Sequence, residues 1–201
     1  MRYYRIMSET YCKNPFSCSS NGGRWNPKGS RMIYAGSAPT VALLEYLCIK
    51  GTAVGSKPWY MIVYEITDET WIGTLQKGSL PNDWNILPHG KATQDFGKIW
   101  LEEKEFPFLK VPSSRVSLNF YPLEHNLLIN PDFPSISELI KVVDTVSFDY
   151  LLNSSPGSNK RGSSLRPFHP QVSSASSIPK SLPSLSLSAH PFSTMPSMPL
   201  C

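Results

Sequence analysis

No acidic residue follows Asp149 in this chain of 201 residues, although 15 Asp and Glu lie at or before that position. Beyond Asn153 the only charges are Lys160, Arg161, Arg166 and Lys180, which leaves 15 of the 19 basic residues to face 15 acids in positions 1 to 153. The formal charge of +4 therefore belongs to the tail, and the neutral remainder lacks the basic stripe that direct nucleic-acid binding needs. Cysteine is also sparse: Cys12, Cys18, Cys48 and Cys201 form no CxxC pair, and the four histidines form no HxxxH, so the usual zinc spacings are missing and no metal is expected. We read free thiols in a reducing, cytoplasmic setting. No apolar run approaches the ~20 residues of a membrane span, and no basic segment with an apolar core opens the chain, so no membrane contact is expected. From Ser154 onward Ser and Pro dominate without helical or strand periodicity. Such a segment cannot bury enough apolar surface to offset its ordering entropy, so residues 154–201 are expected to be a disordered, low-complexity tail behind one domain at 1–153.

Within 1–153, elements of both kinds alternate. "RYYRI", "RMIYAGS" and "PWYMIVYEIT" have the β-branched and aromatic content of strands, and "FLKVP", "RVSLNF" and "HNLLIN" read as shorter strands or edges between Pro and Asn turns. "SAPTVALLEYLCIKG" reads as a helix: Ser37 can cap it, Pro39 suits its first turn, and Gly51 ends it. Its apolar stripe would be Val41, Leu44, Leu47 and Cys48. "QDFGKIWLEEK" reads as a short helix and "SISELIKV" as a weak one, ahead of a terminal "VSFDYLL". Mixed elements without strict βαβ repetition predict an α+β fold, a mixed sheet with short helices.

Three polar residues stand out against this frame. Arg24 sits in "GGRWNPKG", between Gly-rich turns; Tyr34 ends the strand that follows; Glu45 lies beside the apolar stripe of the next helix, where a carboxylate needs a partner or a task. Packing that strand against that helix would bring the three side chains to one cleft. An Arg offers fixed, charged donors for a pyrophosphate or an amide oxygen. A Tyr ring offers a stacking face for a flat heterocycle. A Glu stabilises positive charge developing at a sugar carbon. Together they suit binding NAD and cleaving its nicotinamide–ribose bond. Taken singly, each has an ordinary reading: a turn Arg in an ion pair, a Tyr with a buried ring, a Glu in a surface pair, and serines forming the turn after Pro112.

In combination, "YRI", "GGRWNPKG", "IYAGSAPTVALLEYL", "GKIWL", "VPSSRV", "NLLINP" and "FDYLL" follow the order and approximate spacing of the RES domain, which the chain resembles over about residues 1 to 153. The resemblance implies a fold similar to diphtheria-type ADP-ribosyltransferases and the role of toxin in a bacterial toxin–antitoxin pair. It implies Arg24, Tyr34 and Glu45 as catalytic residues, with Ser113, or Ser114 in the alternative register, and Asn126 joining Arg24 and Tyr34 in binding NAD, which is the substrate. Family members destroy NAD by hydrolysis or phosphorolysis, and some attach ADP-ribose to a protein, so both outcomes stay open, as does an inactive module that keeps the fold. The implied partner is an Xre-like helix-turn-helix antitoxin; a homo-oligomer is also left open. The chain departs from the family pattern in three ways: Lys98 and Ile99 precede Trp100 where an acid is common, "NPDFPSI" lacks the usual His and Pro after its first Pro, and the Ser- and Pro-rich tail is foreign to a compact RES domain.

Overall fold

A computed structural model of the chain describes residues 1–56 and 58–150; the expected tail lies outside the described residues. Seven strands form one sheet: β1 (Arg2–Ser8), β2 (Ile33–Gly36), β3 (Trp59–Ile66), β4 (Ile72–Thr74), β5 (Phe108–Val111), β6 (Asn126–Ile129) and β7 (Ile140–Phe148). Their order is β4-β5-β6-β2-β1-β3-β7, antiparallel throughout except for the parallel pair β4 and β5. The helices are α1 (Glu9–Cys12), α2 (Pro39–Lys50), α3 (Lys91–Glu103) and α4 (Ile136–Leu139). The fold is α+β, a mixed sheet with few and mostly short helices.

Burial on both faces of the sheet explains its apolar runs. In β6, Leu127 and Ile129 join Tyr3, Ile33, Ile62, Tyr64 and Phe108 in one core, while Leu128 points the other way, into a second core with Trp25, Met32, Trp100 and Val111. A strand buried on both sides reads as a continuous apolar stretch rather than an alternating one. Helix α3 covers the second core through Thr93, Gly97 and Trp100, spaced by four and three residues on one face. It lies so close to the "GGRWNPKG" turn that a Cβ on Gly97 would collide with the Trp25 carbonyl. A third core, Ile6, Ala42, Trp59 and Met61, lies under α2, where the Tyr46 ring meets Trp59 edge-on.

Several details differ from the sequence reading. Ala38, not Ser37, caps α2; the Ser37 hydroxyl instead accepts a bond from the His125 backbone N–H at 2.9 Å. The buried side of α2 carries Val41 and Ala42, whereas Leu44 and Cys48 are exposed. Ala42 lies in the third core with Leu43 and Tyr46 packed against it, Glu45 reaches Asn126 of β6, and Leu44 faces solvent. "RVSLNF" is a turn containing a single 3-10 segment, Leu118–Phe120, because Ser117 Oγ accepts from the Asn119 N–H and bends the chain. "SISELIKV" gives one helical turn and then enters the nine-residue β7, paired along β3. "QDFGKIWLEEK" belongs to a longer helix that starts at Lys91.

Candidate active site

The stretch from Gly22 to Gly29 folds into a compact turn built on its own backbone. Gly23 N–H donates to the Asn26 carbonyl at 2.9 Å, and the Asn26 amide donates to the Ser30 carbonyl at 2.8 Å. Gly22 has φ +80°, and a Cβ there would press on the backbone of Asn26, Pro27 and Lys28, so only glycine fits. Tyr34 closes the turn from β2. Its hydroxyl donates to Asn26 Oδ1 at 2.6 Å and accepts from the Trp25 N–H at 3.0 Å. Burial pushes the Tyr34 hydroxyl above the ordinary phenol range, so it acts here as a neutral hydrogen-bonding group. Trp25 is buried in the second core against Phe96, and Gln94 of α3 donates to the Gly23 carbonyl at 2.9 Å. The turn is thus held from below, from the side and from within.

That rigidity fixes Arg24. Its Nη1 donates to the carbonyls of Trp84 (2.6 Å) and Ile86 (3.0 Å), and the residue is only 8% exposed. Its Nη2 is buried with no hydrogen-bond partner among the described residues. Burial lowers the pKa of the guanidinium, and the neighbouring Arg115 charge lowers it further. Across the cleft, Glu45 projects from α2. Its Oε1 accepts two bonds, from Ser113 Oγ at 2.7 Å and from the Asn126 amide at 2.6 Å. Its Oε2 faces Arg115 Nε at 3.8 Å, an ion pair too long for a hydrogen bond. Ser113 Oγ also accepts from the Arg115 backbone N–H at 3.0 Å, which sets the turn after Pro112.

These groups share one cavity of about 550 Å3. Arg24, Tyr34, Glu45 and Asn126 line it, together with His89 and Arg115. Ser113 lies just behind the wall, bonded to Glu45, and its neighbour Ser114 faces the space. The cavity opens beside the weakest seam of the sheet, where β1 and β2 meet only at Tyr4 opposite Gly36, and residues of both strands form its floor. Partial loss of hydration and the charges of Arg24 and Arg115 lower the pKa of His89, which favours its neutral form. Chemically, the site offers one anchored carboxylate, two guanidiniums and a neutral imidazole around a space in the size range of small-molecule pockets. Such a set can hold an anionic group and stabilise a cation formed next to it.

Sequence reasoning did not single out Arg115, His89 or Asn26. Asn26 stood inside the quoted "GGRWNPKG" word, and an Asn in a Gly-rich turn is a signal for side-chain bonds to local backbone. Arg115 stood beside the quoted serines. His89 lies in an irregular loop with no local pattern to mark it. Lys98 and Ile99, the residues at one departure from the family pattern, are exposed on α3, with Lys98 paired to Glu102, and neither lines the cavity.

Comparison with known proteins agrees with this architecture. The chain is 33% identical over 153 residues to a protein named Toxin Res from Yersinia enterocolitica serotype O:8, a match covering 75% of this chain and 97% of that one. It is 34% identical over 115 residues to the Prs ADP-ribosylating toxin of Sphingobium sp. strain YBL2, covering 56% of this chain and 68% of that protein. The fold is similar to a chain in the crystal structure of the M. tuberculosis MbcT–MbcA toxin–antitoxin complex, with a TM-score of 0.58 at 14% identity over 74% of this chain and 84% of that chain. The family model described as RES domain matches residues 2–151, and on that match the chain belongs to the RES domain family.

Proposed function

We propose that this chain is the toxin of a toxin–antitoxin pair and that it consumes NAD in the cytoplasm by breaking the nicotinamide–ribose bond. One observation carries the reading: a carboxylate, Glu45, with one oxygen pinned by Ser113 and Asn126, faces a cavity that Arg24 and Tyr34 also line. As the bond breaks, its electron pair stays with the ring nitrogen, nicotinamide leaves neutral, and positive charge grows on the ribose carbon. A carboxylate held in place by two donors stabilises that charge without having to reorganise. Arg24, anchored through Nη1, keeps Nη2 for an amide or phosphate oxygen. The acceptor that then bonds to the ribose carbon and gives up a proton is water or inorganic phosphate. The names of the Yersinia and Sphingobium relatives support a toxin and an NAD-derived group, and the similarity to a chain from a toxin–antitoxin complex supports an antitoxin partner, for which we propose an Xre-like protein.

A second reading, transfer of ADP-ribose to a cellular protein, is favoured by the name of the Sphingobium relative. Mass spectrometry of products after mixing the purified protein with NAD, with and without phosphate, separates the cases: ADP-ribose, ADP-ribose phosphate, or mass added to protein in a cell extract. Glu45→Gln should keep the fold and lose on the order of 10²-fold or more in turnover. Equal NAD consumption by that variant would remove the mechanism. A catalytically idle module predicts no NAD loss from the unaltered protein.

A further inference from the structure

We propose that Arg115 binds a phosphate of the substrate and so makes the site select nucleotides over nucleosides. The inference rests on reading the cavity as a pyridine-nucleotide site. Two guanidiniums reach this cavity, and each has one buried nitrogen, Arg24 Nη2 and Arg115 Nε, with no hydrogen-bond partner among the described residues. Leaving a charged donor buried and unsatisfied is costly, and such groups are retained where a ligand supplies the acceptor. Arg115 is not spent on Glu45: at 3.8 Å its Nε is within ion-pair range of Oε2 but makes no hydrogen bond to it. Its side chain is half-buried, its backbone is tied to Ser113, and the Nε atom itself is shielded from solvent.

The complementary ligand can be read from the donors and acceptors on the wall. It needs at least two acceptor oxygens with negative charge for Arg24 and Arg115, and a hydroxyl to donate to Glu45 Oε2, which accepts no hydrogen bond among the described residues. A ribose 5′-phosphate unit has both within one sugar. A nucleoside supplies only the hydroxyl. The guanidinium fork suits two oxygens of one phosphate, which an ammonium would hold only as a point charge. The Arg115 charge adds to the cost of keeping Arg24 charged, and an anion lying between the two relieves it.

The test compares the unaltered protein with Arg115→Gln and Arg115→Lys. Calorimetric binding of ADP-ribose should weaken about 10- to 100-fold in Arg115→Gln and by less in Arg115→Lys, the range expected for loss of a charge-assisted bond. The ratio of kcat/KM for NAD to that for nicotinamide riboside should fall in proportion. Unchanged ADP-ribose affinity in both variants overturns the proposal. So does an equal drop in kcat for both substrates without a change in affinity, because Arg115 would then act through Glu45. Inorganic phosphate is the remaining arm: if Arg115→Gln loses only free phosphate, the residue serves that ion and the assignment falls. If the unaltered protein leaves NAD intact while its ADP-ribose affinity still depends on Arg115, the proposed reaction fails and this inference stands.

Discussion

Glu45 Oε1 accepts from partners 68 and 81 positions away along the chain, yet both bonds are under 2.8 Å. Two donors on one oxygen fix the rotamer of the carboxylate and leave Oε2 without a hydrogen bond among the described residues. Ser113→Ala and Asn126→Ala should therefore each lower NAD turnover on the order of tenfold, the worth of a hydrogen bond to a charged group. Because both act on the same oxygen, the double variant should lose less than the product of the two, a coupling that steady-state kinetics of the four proteins would measure. Additive losses would mean that the two residues do not share this task. Arg24, Tyr34 and Glu45 were legible because one continuous run holds them, so local word order reports on the site. Arg115 and His89 were not, because their contribution depends on a turn and a loop whose positions are set by contacts far away in the chain.

At the level of elements, legibility followed length and periodicity. The eight-residue β3 carried enough apolar signal to be read, while the three-residue β4 did not, since a strand that short depends on parallel pairing with β5 for its identity. Helix α2 is legible in the sequence, but of its expected stripe only Val41 is buried, while Leu44 and Cys48 are exposed. It has apolar residues almost all round, with Leu43, Leu44, Leu47 and Ile49 beside Val41 and Ala42, so periodicity alone could not say which face meets the sheet. Polar Glu45 marks the correct side because the cavity, not solvent, receives it. Helix α3 packs closely on the "GGRWNPKG" turn at Gly97. Gly97→Ala places a methyl against the Trp25 carbonyl, a backbone atom with no freedom to rotate aside. The expected cost is about 1–3 kcal/mol. It should appear as a lower urea midpoint, with weaker ADP-ribose binding as Arg24 shifts with the turn. An unchanged midpoint would show that α3 can move away freely.

Across the whole molecule, the sheet is joined most weakly between β1 and β2, and a buried pair bridges that seam. His125, 3% exposed, donates from Nδ1 to the Pro122 carbonyl at 2.7 Å and accepts at Nε2 from the Tyr3 hydroxyl at 3.2 Å, linking β1 to the start of β6. Burial lowers the imidazole from its usual 6.5 to about 4, while the Pro122 bond opposes the shift. The unfolded chain then binds the proton more readily than the folded one. Stability from the neutral ring is complete above about pH 6.5 and is lost progressively as pH falls to about 4, at about 1.4 kcal/mol per unit, or roughly 3 kcal/mol in all. Carboxylates titrate over the lower part of that range as well, so the absolute slope does not isolate His125. The difference between the unaltered protein and His125→Gln does, because the other groups are common to both. Urea midpoints from pH 7 down to 4.5 should converge for the two proteins as pH falls, the glutamine variant starting lower and changing less. Since His125 adjoins Asn126 and its backbone N–H is held by Ser37, the same acid step should loosen the donor that holds Glu45. Parallel pH profiles for the two proteins would place the acid sensitivity elsewhere in the fold.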